Sequence, residues 1–140
     1  MSLHDDFEQL FSELWRTTHF SGARRGFRPE IDTIQTADPA ELVVVVDLAG
    51  VDPKDVQIAV LDRTLVIAGE RRRALPECRL SYHQMEIEYG PFERRVALPE
   101  EVDASGARAT YERGLLKIVL PIAAKASRAG KVSIRVRTRR

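Results

Sequence analysis

Cysteine is nearly absent from this 140-residue chain: Cys78 stands alone, so no intrachain disulfide can form. That fits a reducing compartment. Histidine is scarce too, and His4, His19 and His83 fall at no metal-ligand spacing, so they read as scattered surface residues with no metal to hold. The 22 basic and 21 acidic residues leave a net charge of +1. A chain so close to neutral has no global field to attract nucleic acid or anionic lipid, and low net charge favours self-association. No segment approaches the ~20 apolar residues of a membrane span. The opening MSLHDDFEQLF carries acid where a signal peptide would carry positive charge. These absences point to a soluble cytoplasmic protein.

Reactive constellations are missing as well. There is no glycine-rich phosphate loop and no G-x-S-x-G elbow. Glu86 and Glu88 share a strand face, as solvated carboxylates commonly do, and nothing marks them as an acid/base pair. Arg71, Arg72, Arg73 and Arg79 could lower the pKa of Cys78, but an incidental loop cysteine is the simpler reading. The expectation is a protein that is not an enzyme and has no cofactor. The arginine run at the end, Arg135, Arg137, Arg139 and Arg140, has no interleaved aromatic for base stacking and reads as a solubilising tail.

What the chain does contain is alternation. ELVVVVDLAG (41–50) is apolar on both faces and should be a central, covered strand. DPKDV (52–56) is a turn; VQIAVL (56–61) and TLVIAGER (64–71) alternate on either side of Asp62-Arg63, which turns the chain. Val56, Ile58 and Val60 should face the same core as Leu65 and Ile67. A strand follows from Phe92 to Leu98. ATYERGLLKIVLP (109–121) is a hairpin turning at Gly114 and closed by Pro121, which lacks an N–H. Short alternating strands with no helical pattern between them predict an antiparallel β-sandwich.

Three segments do not fit a closed sandwich. Residues 3–18 place Leu3, Phe7, Leu10, Phe11, Leu14 and Trp15 on one side of a helix, followed by the linker SGARRGFRP (21–29). A helix behind such a linker reads as an apolar arm. Residues 71–84 break the strand pattern at a length that suits an interaction loop. AAKASRAGK (123–131) reads as a flexible linker, and VSIRV (132–136) as a lone strand that needs an edge to join. The expected organisation is an arm and linker over 1–27, a sandwich over 28–122 and a C-terminal extension over 123–140.

Together these residues resemble the small heat-shock protein (alpha-crystallin) family over roughly Pro29 to Pro121. The resemblance is carried by FRPEIDTIQT (27–36), VVVDLAGVDPKDVQIAVLDRTLVIAGERR (44–72), EIEYGPFERRVALP (86–99) and ATYERGLLKIVLP (109–121). The last matches an A-x-x-x-n-G-x-L signature at Ala109, Gly114 and Leu116, with Arg113 in the Asn position. Ile87 stands where the family has Arg, and Ala49-Gly50 where it has Pro-Gly. The terminal I-x-I motif is represented by Val132-x-Ile134 or by Ile134-x-Val136.

The resemblance implies an immunoglobulin-like sandwich, the alpha-crystallin domain, acting as an ATP-independent holding chaperone on partly unfolded proteins. It implies a dynamic homo-oligomer built from dimers. The dimer interface would use Ile31, Leu80, Tyr82, Glu86, Tyr89, Phe92 and Arg94, with a short strand in the excursion at 71–90 crossing to a partner. A groove between Val56, Ile58, Val60 and Ala107, Ala109, Tyr111 would receive a neighbour's Val132, Ile134, Val136 motif. Clients would contact Phe7, Leu10, Phe11, Leu14 and Trp15. The rival readings are a monomeric sandwich serving as a co-chaperone adaptor, and a nucleic-acid module using the arginine tail.

Overall fold

The computed structural model describes residues 26–123 and 129–137. Within them the alternating segments become nine strands: β1 (Ile31–Thr36), β2 (Glu41–Asp47), β3 (Val56–Leu61), β4 (Thr64–Arg71), β5 (Gly90–Ala97), β6 (Arg108–Glu112), β7 (Leu115–Pro121), β8 (Ala129–Val132) and β9 (Ile134–Val136). They form two layers, a five-stranded sheet in the order β1-β2-β7-β6-β9 and a four-stranded sheet in the order β5-β4-β3-β8. Every pairing is antiparallel except β6 with β9. The fold is the all-β, immunoglobulin-like sandwich. The helical arm expected over residues 3–18 lies outside the described residues.

Period two decides which side chains meet between the layers. Leu42, Val44 and Val46 of β2 are buried and share the interior with Leu116, Ile118 and Leu120 of β7. Val56, Ile58 and Val60 of β3 meet Leu65 and Ile67 of β4 in the same core, as the sequence predicts. β2 is a central strand, but its other face is less covered than its apolar run suggests: Val43 and Val45 are only half-buried. They pair across the sheet with Val119 and Lys117 of β7.

The turns follow from their residues. Asp52 caps the 3-10 turn Pro53–Asp55 by accepting a hydrogen bond from the Lys54 amide. At the turn after β3, Asp62 takes a positive φ. Arg63 beside it donates from Nε to the Leu98 carbonyl at 3.0 Å and from Nη2 to the Pro99 carbonyl at 2.8 Å. This ties the β3–β4 hairpin to the end of β5. Between β6 and β7, Arg113 (φ 54°) and Gly114 (φ 81°) are both left-handed, the conformation of a two-residue hairpin that favours Asn-Gly. Gly114 also lets the turn pass close to the backbone: a Cβ there would sit 3.0 Å from the Ala49 Cα. The Leu48 amide donates to the Gly114 carbonyl at 2.8 Å. The signature glycine is thus a packing requirement between the β6–β7 turn and the end of β2.

Candidate functional site

β3 and β6 are each next to last in their sheets, one from either layer, and the tail completes both. β8 runs antiparallel to β3, pairing Ile58 with Val132, Val60 with Gly130 and Leu61 with Ala129. After Ser133 the same segment crosses to the other layer. β9 runs parallel to β6, pairing Ala109 with Ile134 and Tyr111 with Val136. The Arg137 amide extends this ladder to the Tyr111 carbonyl at 2.9 Å. One short segment therefore satisfies two strand edges at once, and unpaired edges are what a sandwich must cover.

The side chains settle which tail residues are the anchors. Val132 is 8% exposed and belongs to the core cluster, whereas Val136 is 52% exposed. Ile134 is partly buried against the same core. Val132 and Ile134 are thus the tail residues that pack on the core, and Val136 is half exposed. Val56, Ile58 and Val60 form one wall of the groove. Ala109 is buried in the other, with Ala107 and Tyr111 packed on the core beside it. An alanine at 109 keeps the position paired with Ile134 shallow. The Tyr111 hydroxyl donates to the Leu48 carbonyl at 2.8 Å, fixing the ring at the end of the groove. Burial pushes the Tyr111 phenol up from its ordinary pKa; the negative charges of Asp52 and Asp47 add to this, and a hydrogen bond from the Val51 backbone opposes it. The seated tail is this chain's own, where the resemblance implies a neighbour's.

The excursion between β4 and β5 forms a second surface. No strand lies between Arg71 and Gly90, so the short crossing strand implied by the resemblance is not formed in the single chain. Leu75, Leu80, Tyr82, Met85 and Ile87 all stand exposed along the excursion, with Ile87 reaching 63%. Sequence reasoning singled out Leu80 and Tyr82, noted Ile87 only for standing where the family has Arg, and passed over Leu75 and Met85. The spacing Met85-x-Ile87-x-Tyr89 was the available signal.

The excursion is rooted by arginines. Arg71 donates to the Glu88 carbonyl and, at 3.1 Å, to the Ala49 carbonyl, and its guanidinium lies 3.6 Å over the Phe27 ring. Arg73 lies 4.3 Å over the Tyr89 ring. Arg94 on β5 donates from Nη1 to the Pro29 carbonyl at 2.6 Å, holding the segment that leads into β1. Desolvation, and then the charge of Arg28, push the Arg94 pKa down. Ile31, Tyr89 and Arg94 are half-buried around this root, and Glu86 is exposed. Phe92 corrects the expected interface set: it is 4% exposed and belongs to the core. Its ring packs edge-on against Phe27 with centroids 5.6 Å apart, so it has no surface to offer a partner. The expected client-contacting residues, Phe7, Leu10, Phe11, Leu14 and Trp15, lie outside the described residues.

Among the described residues no group of three or more His, Cys, Asp or Glu side chains is placed to hold a metal, and no helix is long and apolar enough to cross a membrane. The arrangement offers strand edges and apolar surface, which is chemistry for binding extended polypeptide.

Comparison with known proteins agrees with this geometry. A family model described as Hsp20/alpha crystallin family matches residues 34–137. Small heat shock protein C2 of Rickettsia felis is 29% identical over 119 residues, which cover 85% of this chain and 76% of that protein. The structure of hspA from Xanthomonas axonopodis superposes with a TM-score of 0.61 at 31% identity, covering 70% of this chain and 96% of that one. A small heat-shock protein from Xylella fastidiosa, described as having a distinct high order structure, gives 0.62 at 32% identity, covering 74% and 93%.

Proposed function

This chain belongs to the Hsp20/alpha crystallin family of small heat-shock chaperones, and from that premise we propose that it is an ATP-independent holding chaperone working as a dynamic homo-oligomer built from dimers. The observation that carries the reading is the groove between β3 and β6, whose two edges accept one extended Val-x-Ile segment. A groove that recognises backbone and two apolar side chains can bind a tail from another copy as well as its own. Dimers form through the excursion, where Leu80, Tyr82, Met85 and Ile87 await cover, together with Ile31, Glu86, Tyr89 and Arg94. Ile87 makes this contact apolar where the family pattern has an arginine.

The arm over residues 1–27 supplies the client-binding surface through Phe7, Leu10, Phe11, Leu14 and Trp15. Covering ~400 Å² of such surface contributes roughly 10 kcal/mol before ordering costs, at about 25 cal/mol per Å². That is enough for a partly unfolded chain to be held against its own aggregation. The interaction is non-directional, so many clients are accepted. No catalytic step, cofactor, nucleic acid or membrane enters this function, and it operates in the cytoplasm, where the exposed thiol of Cys78 stays reduced. Deleting residues 1–26 should reduce protection of a heat-aggregating client while the sandwich stays folded. Undiminished protection would contradict the assignment of the arm. Truncation after Ala124 should leave dimers, and light scattering that still gave the full-length mass would contradict assembly through the tail.

A further inference from the structure

The ladder of β4 with β5 closes at Arg71 opposite Gly90, and the excursion, residues 72–89, leaves and returns at this pair. Arg71 reaches from there to both limbs of the surroundings. Its Nε and Nη2 donate to the Glu88 carbonyl on the returning limb. Its Nη1 donates at 3.1 Å to the Ala49 carbonyl, just past the end of β2 in the other sheet. The same planar group lies 3.6 Å over the Phe27 ring and 5.4 Å over the Tyr89 ring. Phe27 is held in turn, edge-on against Phe92 of the core. The backbone just before Phe27 is pressed onto the start of β5: a Cβ at Gly26 would overlap the Pro91 carbonyl oxygen, and one at Gly90 would lie 3.5 Å from the Gly26 Cα. The returning limb of the excursion and the point where the arm joins the sandwich are therefore packed on one another, and one arginine touches both.

We propose that Arg71 is the positioning residue of the dimer-forming excursion, and that it makes the setting of the excursion depend on whether Phe27, at the root of the arm, is seated. The partner is a second copy of this chain, and the inference rests on the reading above that dimers form through the excursion. Among the described residues the partners of Arg71 are two carbonyl oxygens and two aromatic rings, with no carboxylate. Shape rather than charge therefore decides what can stand there. A planar guanidinium donates along its edge while its face rests on a ring; an ammonium is a point charge and does not do both. The Phe27 ring holds the guanidinium plane in the orientation that aims Nε and Nη2 at Glu88. Two states follow. With Phe27 seated, Glu88 and Tyr89 are held, and the limb carrying Met85 and Ile87 returns to the sandwich along one path. Less remains to be ordered when a partner pairs with it. With Phe27 drawn out by a pull on the arm, the guanidinium loses that face contact and Glu88 is released. The excursion must then be ordered anew at each encounter. Occupation of the arm and formation of the dimer are thereby coupled through two side chains, and the coupling is reciprocal: a dimer contact already made favours a seated arm root.

The test uses the full chain with Arg71→Lys, Phe27→Leu, Phe27→Tyr, and Arg71→Lys combined with Phe27→Leu. Native mass spectrometry over a dilution series gives the concentration at which dimers give way to single chains, and the melting temperature is followed beside it. Arg71→Lys and Phe27→Leu should each raise that concentration about three- to tenfold, the range of one stacked cation and ring. Phe27→Tyr keeps the ring face and should stay within about twofold of the unaltered chain. The combined variant should go no further than the larger single one, because the two side chains act as a unit. Effects that multiply in the combined variant would overturn the coupling. An unchanged concentration for Arg71→Lys would overturn the positioning role, as would Phe27→Tyr behaving like Phe27→Leu. Should Arg71→Lys lose its melting transition, the comparison of Phe27→Leu with Phe27→Tyr decides alone. Ile87→Asp separates this proposal from the reading beneath it. Dissociation of Ile87→Asp alone, with the Arg71 and Phe27 variants unaffected, would overturn the proposal and leave dimers through the excursion standing. An unaffected Ile87→Asp would overturn both.

Discussion

Substituting the two valines of the tail separately tests the anchor assignment. Val132 is 8% exposed and Val136 is 52% exposed, although the sequence VSIRV offers both as partners for Ile134. Val132→Ala removes two buried methyl groups, about 0.8 kcal/mol each, or about 1.6 kcal/mol in total. Little further cavity cost arises, because the site lies at a strand edge that can close. At 1.4 kcal/mol per factor of ten, the equilibrium between seated and released tail should shift about tenfold towards release. Val136→Ala removes the same groups from a position already half in water, so its effect should be about half in free energy, a factor of three to four. Amide hydrogen exchange at Gly130 and Val132, the β8 residues whose partners Val60 and Ile58 face them across the ladder, reads the released fraction directly, and light scattering reads the consequence for particle mass. Equal effects of the two substitutions, or a larger one at Val136, would refute the register and with it the claim that Val132 seats between the sheets.

Three further outcomes are expected. Tyr111 should titrate above the ordinary tyrosine value. Its folded pKa is raised, mainly by burial, so its contribution to stability is complete below about pH 10, the unfolded value, and is lost as the pH rises through the folded one. A tyrosinate absorbance titration of Tyr111, taken as the difference from a Tyr111→Phe variant, that fell at the ordinary tyrosine value would contradict this. Gly69→Ala should destabilise the sandwich by about 3 kcal/mol, lowering Tm by roughly 10 °C. Its new Cβ would overlap the Asp55 carbonyl oxygen and lie 2.8 Å from Phe92 Cζ, and an unchanged melting curve would count against that contact. Arg94→Ala should cost roughly 1.5 kcal/mol by releasing the Pro29 carbonyl. It should also shift sedimentation towards smaller species by loosening the approach to β1, and an unaltered sedimentation profile would exclude that role.

How far the site could be read in advance differs from residue to residue. The alternation in VQIAVL and TLVIAGER fixed the faces of β3 and β4, because period two is local. The hairpin at Arg113-Gly114 was legible for the same reason: the backbone conformation that the turn needs is written in two adjacent residues. Phe92 was misread as an interface residue. Its burial depends on Phe27, far away in the sequence, and on a strand pairing that no local pattern contains. The excursion was recognisable as an interaction segment from its length and broken periodicity. The exposure of Leu75, Met85 and Ile87 depends on where the loop lies relative to the sandwich.

The sequence by itself determined the strands, their inward faces, the turn chemistry and the presence of a tail strand without a neighbour of its own, since each follows from side-chain period and local backbone preference. Only the tertiary structure decided that Val132 rather than Val136 is buried, that one segment serves both sheets, and that the groove can be filled by the chain's own tail. Those facts depend on which distant edges lie within reach of a five-residue connection between Ala123 and Ala129, a matter of distance in space that periodicity along the chain does not encode.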